Sequence, residues 1–141
     1  MAQLLVLVLI AIAVALYGGE ATAPTTIAAV VLFIAGQGMA IAAALQMRHY
    51  ISAHPAPAPG ASLLQDGIYR FVRHPMYGGV MLMAGAIALF DVNPAALVLT
   101  AVLAVVFHGK ARYEESLLAA TFLGYPEYRK RVTRRFIPWV L

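Results

Sequence analysis

The sequence predicts an all-α membrane protein, with about four transmembrane helices and a cytoplasmic C-terminal helical segment. Three observations predict it. Hydrophobic residues fill 62% of the 141 positions and charged residues only 11%, with a mean hydropathy of +0.82. Soluble domains run near a quarter charged, and so few charged side chains cannot cover this much apolar surface in water. Four stretches carry no charge: residues 1–17, 25–47, 75–90 and 94–109. The Lys and Arg residues fall in two regions only, Arg48, Arg70 and Arg73 in the middle and Lys110, Arg112, Arg129, Lys130, Arg131, Arg134 and Arg135 in the last third. The same composition excludes intrinsic disorder, and the absence of cysteine excludes disulfides, thiolate metal sites and cysteine nucleophiles.

A helix rises 1.5 Å per residue, so about 20 residues cross a hydrocarbon core of about 30 Å. The first stretch, Met1 to Tyr17, is marginal by that measure; it lacks a basic leader and reads as an uncleaved span. The second, Thr25 to Met47, is long enough, and Gly36, Ala40 and Ala44 recur at a spacing that suits close helix contact in lipid. Residues 1–50 thus read as an N-terminal transmembrane hairpin. Residues 51–66 form a Pro-rich cytoplasmic linker, because the run AHPAPAPGAS forbids helix. Residues 67–141 hold two further spans and an amphipathic tail. Pro75 suits the first position of the third helix. The fourth apolar run is short alone, but LVLTAVLAVVF continues into HGKARYEESLLAATF with no breaker besides Gly109. The connections at 17–24 and 91–94 carry no Lys or Arg. Positive residues stay inside, which puts both termini in the cytoplasm; the expected location is the inner or plasma membrane of a prokaryote.

The polar residues gather in three clusters. In DGIYRFVRHPMYGG, His74 stands at the cap of the third helix, whose free N–H groups and positive dipole end favour an anion. Arg70 and Arg73 add charge, and Gly78 and Gly79 would let a ligand approach the backbone. In HGKARYEESLL, Glu114 and Glu115 stand just beyond the apolar end of the fourth helix, and Arg112 and Glu115 are spaced to pair on one face. In GYPEYRKRVTRRFIPWVL, Lys130, Arg131, Arg134 and Arg135 suit a tail lying on anionic lipid. Nucleic acid is not a partner, since the basic stripe abuts the membrane. Proton-coupled transport is disfavoured, because no Asp or Glu lies inside an apolar stretch. No metal site is expected, since His49, His54, His74 and His108 share no ligand spacing.

Taken in order, the clusters resemble the catalytic half of the isoprenylcysteine carboxyl methyltransferase and phospholipid methyltransferase superfamily. The residues that carry the resemblance are Gly67, Tyr69, Arg73, His74, Pro75, Tyr77 and Gly79, then Glu114, Glu115 and Leu118, then Tyr125, Tyr128, Val132, Ile137 and Pro138. It covers about residues 63–138. One departure is FLGYPEY, where the family has a longer Gly-to-Tyr spacing. The resemblance implies an integral membrane enzyme that uses S-adenosylmethionine without a Rossmann fold. Tyr69, His74, Pro75, Tyr77, Gly78, Glu114 and Glu115 would hold the cofactor, with the choice between the two glutamates open. Arg73 and Arg112 would serve catalysis, Arg112 by holding an acceptor carboxylate. The acceptor would be a lipid or a lipidated small molecule or peptide, and the activity most like isoprenylcysteine carboxyl O-methylation. Phospholipid N-methylation and a non-catalytic membrane scaffold are the alternatives.

Overall fold

A computed structural model describes residues 2–17, 19–47, 63–90 and 92–138. Most of the expected linker, together with Arg48, His49, His54, Asp91 and Trp139, lies outside the described residues. Among those described, all regular structure is helical: α1 Ala2–Tyr17, α2 Ala23–Met47, a single 3-10 turn Gly67–Arg70, α3 Pro75–Phe90, α4 Pro94–Thr121 and α5 Tyr125–Arg131. The third helix begins at the proline that suits its first position. The fourth runs through Gly109 to a length of 28 residues, about 42 Å at 1.5 Å per residue.

Two helices, α2 and α4, are long and apolar enough to cross a bilayer. The other two apolar helices, α1 and α3, have 16 residues each, about 24 Å, which is less than the hydrocarbon thickness of about 30 Å. The expectation of four spans is therefore met at full length by two helices. Leu4, Leu5, Val8, Val31, Ile34, Val98 and Val105 turn more than half of their surface outward. Soluble monomers rarely expose so continuous an apolar face, and lipid is the solvent that suits it.

The packing pairs α2 with α3, α1 with α4, and α3 with α4. Within the N-terminal pair, α1 therefore packs chiefly on α4 and α2 on α3. Small residues explain the tightest contact. A Cβ placed on Gly79 of α3 would stand 2.6 Å from the Gly36 carbonyl of α2 and 3.0 Å from Ala40, so only glycine lets these backbones meet. On the other side Val6, Ile10 and Ala13 of α1 share one core with Met81, Ala84 and Ala88 of α3 and with Leu103 and Phe107 of α4. At the α3–α4 turn the buried Asn93 caps α4 by accepting from the Ala96 N–H at 3.0 Å, and its amide donates to the Ala13 carbonyl at 2.9 Å. This side chain ties α1 to the start of α4, and the Asn93 N–H adds α3 by donating to the Ala88 carbonyl at 2.9 Å.

The opposite end gathers the polar groups. Gly67 has φ +56°, a left-handed turn that glycine adopts freely, and the side chain of Gln46 from α2 fills the space a Cβ would need there. The Gln46 carbonyl accepts from the Ile68 N–H at 3.2 Å. After α5 the chain returns along the start of α3, where the Arg73 and His74 N–H groups donate to the Arg134 and Arg135 carbonyls at 3.1 and 2.7 Å. Replacement of Gly79 by Leu is expected to destabilise the protein by several kcal/mol, the cost of overpacking a backbone contact. Gly109→Ala, which meets nothing within 4 Å, should be neutral or stabilising by about 0.5–1 kcal/mol. Thermal melts of both variants in one detergent check the contrast, and equal melting points would refute the proposed contact.

Candidate active site

The site grows from a single carboxylate. Glu115 lies on α4, six residues beyond the apolar run, and its side chain is 4% exposed. An unpaired buried carboxylate would cost several kcal/mol; three groups from two other segments hydrogen-bond it, and the exposed Arg129 Nε stands 4.0 Å from Oε2. The Arg73 Nε donates to Oε1 at 3.0 Å. The Arg135 Nε donates to Oε1 at 3.0 Å and its Nη2 to Oε2 at 3.1 Å, a bidentate grip. The His74 Nε2 lies 3.2 Å from Oε1. The second arm of Arg73 donates to the Val132 carbonyl, so this guanidinium clamps α4 and the returning C-terminal segment at once.

Glu114, one residue earlier and therefore about 100° around the helix, is less committed, with 23% of its side chain exposed. It accepts from the Tyr77 hydroxyl, stands 3.6 Å from the His74 Nδ1 and 4.0 Å from the Lys110 Nζ. Beneath it is an aromatic stack: His74 lies parallel to Tyr77 at 5.6 Å, and Tyr77 parallel to Phe107 at 4.7 Å. Lys110 sits over the Tyr77 ring at 5.1 Å. Phe136 closes the side, 6.2 Å from the His74 ring and 6.4 Å from His108. The result is a polar patch with one saturated carboxylate, one accessible carboxylate, flat π faces and a surplus of cations.

Three tyrosines brace the floor. Tyr69, Tyr125 and Tyr128 are buried, and the Tyr128 hydroxyl donates to the Tyr69 carbonyl at 2.7 Å. Burial pushes the Tyr128 hydroxyl up to about 12 and holds those of Tyr69 and Tyr125 well above the usual phenol range. All three stay protonated near neutral pH and none is a proton acceptor.

The structure brings together Arg73, His74, Tyr77, Glu114 and Glu115, with Pro75 starting the helix and Tyr69 just below. It uses other expected residues differently. Gly78 does not open a path for a ligand: the position a Cβ would take is filled by the Phe136 carbonyl and the tip of Met39. Gly79 likewise serves the contact with α2. The N–H of His74, at the cap of the helix, is taken by the Arg135 carbonyl. Arg112 is exposed, and among the described residues no carboxylate stands within ion-pair distance of it. Glu115 is buried and already held by Arg73 and Arg135, while Arg112, although at pairing distance along the helix, stays on the exposed surface. Arg135, read from the sequence as a lipid anchor, is only 18% exposed and belongs to the site. Phe107, Lys110 and Phe136 were also missed. Phe107 and Lys110 share a face of α4 with Glu114 at helical spacing, a signal that was available; nothing in the local pattern around Arg135 and Phe136 points to a partner some twenty residues away.

Residues 24–123 match the family model described as phospholipid methyltransferase. No curated protein matches the chain. The matched region contains α2, α3 and α4, and so His74, Tyr77, Glu114 and Glu115; Arg135 and Phe136 lie beyond it.

Removing Glu115 would leave two guanidiniums facing one another in a largely buried space. Glu115→Ala is expected to cost about 3–5 kcal/mol of stability, the usual penalty for breaking a buried pair, while Glu114→Ala should cost about 1–2 kcal/mol. Chemical denaturation in detergent measures both. Equal losses would show that Glu115 is no more a structural hub than its neighbour.

Proposed function

The chain belongs to the phospholipid methyltransferase family, and on that premise we propose that it moves a methyl group from S-adenosylmethionine to a lipophilic acceptor at the polar end of α3 and α4. Membrane methyltransferase activity is what the family implies; the cofactor, the residue roles and the acceptor are our reading. The observation that carries it is the accessible carboxylate of Glu114, set beside Tyr77 and Lys110 at the end of an apolar helix pair.

The donor set suits this cofactor. Its ammonium group or ribose diol needs an acceptor, which Glu114 offers. Its carboxylate needs a cation, which Lys110 and Arg135 offer. Its adenine and its cationic sulfur suit the faces of Tyr77 and His74, since cations favour aromatic rings. When bound, S-adenosylmethionine supplies a methyl group made electrophilic by the sulfonium centre. The chain's own work is then alignment and exclusion of water, which can lower a barrier by several kcal/mol. In this reading Glu114, Tyr77 and His74 touch the cofactor. Glu115 and Arg73 are positioning residues that hold α3, α4 and the C-terminal segment in register. Pro75, Gly78 and Tyr69 shape the same corner through the backbone. Arg112, on the exposed face of α4, meets the anionic part of an approaching acceptor.

Attack by a carboxylate oxygen needs no base, which favours O-methylation of an isoprenylcysteine-like acceptor. N-methylation is the second reading, and a specific residue favours it: His108 is exposed beside the site, with both ring nitrogens 3.2 Å from the Arg135 Nη1, and can take the proton an amine must shed.

We also propose that all four apolar helices cross the membrane with both termini cytoplasmic. Cysteines introduced at Glu20 and Val92 should react with an impermeant reagent outside the cell, and one at Glu127 should not. Outside labelling at Glu127 would put the site in the wrong compartment. For the cofactor, Glu114→Gln and Tyr77→Phe should each weaken S-adenosylmethionine binding about tenfold to a hundredfold, because a hydrogen bond to a charged group contributes about 1.5–3 kcal/mol. Lys130→Ala should leave affinity unchanged. Calorimetry on detergent-solubilised protein checks this, and wild type that takes up no cofactor at millimolar concentration would end the proposal.

A further inference from the structure

A second cluster of charge lies outside the site just described. Arg70, Arg131 and Arg134 line a pocket of about 80 Å³, together with Phe71, Thr133 and Pro138. A water molecule's share of liquid is about 30 Å³, so the pocket has room for a phosphate-sized group. Two of the guanidiniums are held in place by rings: that of Arg70 lies 4.8 Å over Phe71, and that of Arg131 lies 5.9 Å over Tyr128. Arg131 also donates to the Gln65 side-chain oxygen. Among the described residues, no carboxylate stands within ion-pair distance of any of the three. Three cations converge with no carboxylate of the described residues to answer them, in contrast to Arg73 and Arg135, which share Glu115.

The surroundings indicate where the anion comes from. Phe71 is 46% exposed and precedes the first residue of α3 by only four positions, so it stands at the level where that apolar helix ends. An exposed aromatic ring under an arginine at that level is how side chains meet the headgroup layer. We propose that this pocket binds the phosphate of an anionic phospholipid headgroup, as a resident lipid rather than as the methyl acceptor. Arginine forks match phosphate oxygens in pairs, and the Thr133 hydroxyl adds a donor at the rim. The pocket shares a wall with the site, because the carbonyls of Val132 and Arg134 bind Arg73 while the Arg134 side chain lines the pocket. A bound headgroup would therefore steady the segment that carries Arg135.

The test uses the full chain in detergent and short-chain phosphatidylglycerol, which offers neither an amine nor a carboxylate to methylate. Its outcome is independent of the methyltransferase reading. Binding, read by native mass spectrometry and by a fluorescent analogue, should fall about tenfold or more in Arg70→Gln and in Arg134→Gln, and should stay within about twofold in Lys130→Gln. Arg134→Lys keeps the charge but cannot grip two oxygens, and should show a partial loss even where the Gln variant folds poorly. Short-chain phosphatidylcholine should bind far more weakly. Loss of the same size in Lys130→Gln would mean diffuse charge and overturn the pocket. Inorganic phosphate binding as tightly as the lipid would reassign it to a free anion, and phosphatidylcholine binding as tightly as phosphatidylglycerol would remove the anionic specificity.

Discussion

A carboxylate enclosed by two guanidiniums and an imidazole sets the terms for the polar half of this protein. Glu115 is buried on α4, six residues beyond its apolar run. Its charge is tolerable there only because Arg73, His74 and Arg135 reach it. Each partner fixes a segment. Arg73 and His74 hold the start of α3, Arg135 holds the returning C-terminal segment, and the Arg73 link to the Val132 carbonyl closes the ring. Gly78 follows from the same constraint, since the carbonyl of Phe136 must lie against the first turn of α3 where a side chain would otherwise stand. Because Glu115 is saturated, Glu114 is left with spare capacity, and that division between neighbours leaves an accessible carboxylate beside a structural knot.

The apolar half works by a different rule. Burial of small residues, not of large ones, decides how close the helices come, as at Gly36, Ala40 and Gly79. Many of the larger aliphatic side chains, such as Leu5, Ile34 and Val105, face outward, where lipid is an equally good solvent for them. With little hydrophobic drive between helices in such a medium, close backbone packing and a few polar ties carry the association. Asn93 supplies one tie at the end opposite the site, linking α1 to the start of α4. The chain is thus secured by polar contacts at both ends and by small residues between.

Much of this was legible in the sequence. The start of α3 at Pro75, the continuation of α4 past its apolar run and the close contact at Gly36 and Ala40 of α2 follow from local chemistry: a missing N–H, the absence of a breaker, and side-chain size; Ala44, expected in the same stripe, is exposed instead. The pairing of the RHPMY element with the double glutamate was legible through resemblance. Other features were not. Arg135 looks like every other basic residue in a stretch that contains five, and only the fold shows that it turns inward while Arg134 turns to the opposite face. The same is true of Arg112, whose spacing from Glu115 suggested a pair that the burial of Glu115 against two other guanidiniums prevents. The separate packing of α1 and α2 was also hidden, because periodicity states which residues want a neighbour but not which helix provides it.

The central claim is that the cofactor-binding corner is built by α3, α4 and the C-terminal segment together. Hydrogen–deuterium exchange of the detergent-solubilised protein, with and without saturating S-adenosylmethionine, tests it most directly. The account predicts added protection in three peptides, around residues 74–78, 111–115 and 134–137, and no change in α1. Protection confined to one of the three, or appearing instead around Asn93 at the far end, would contradict it.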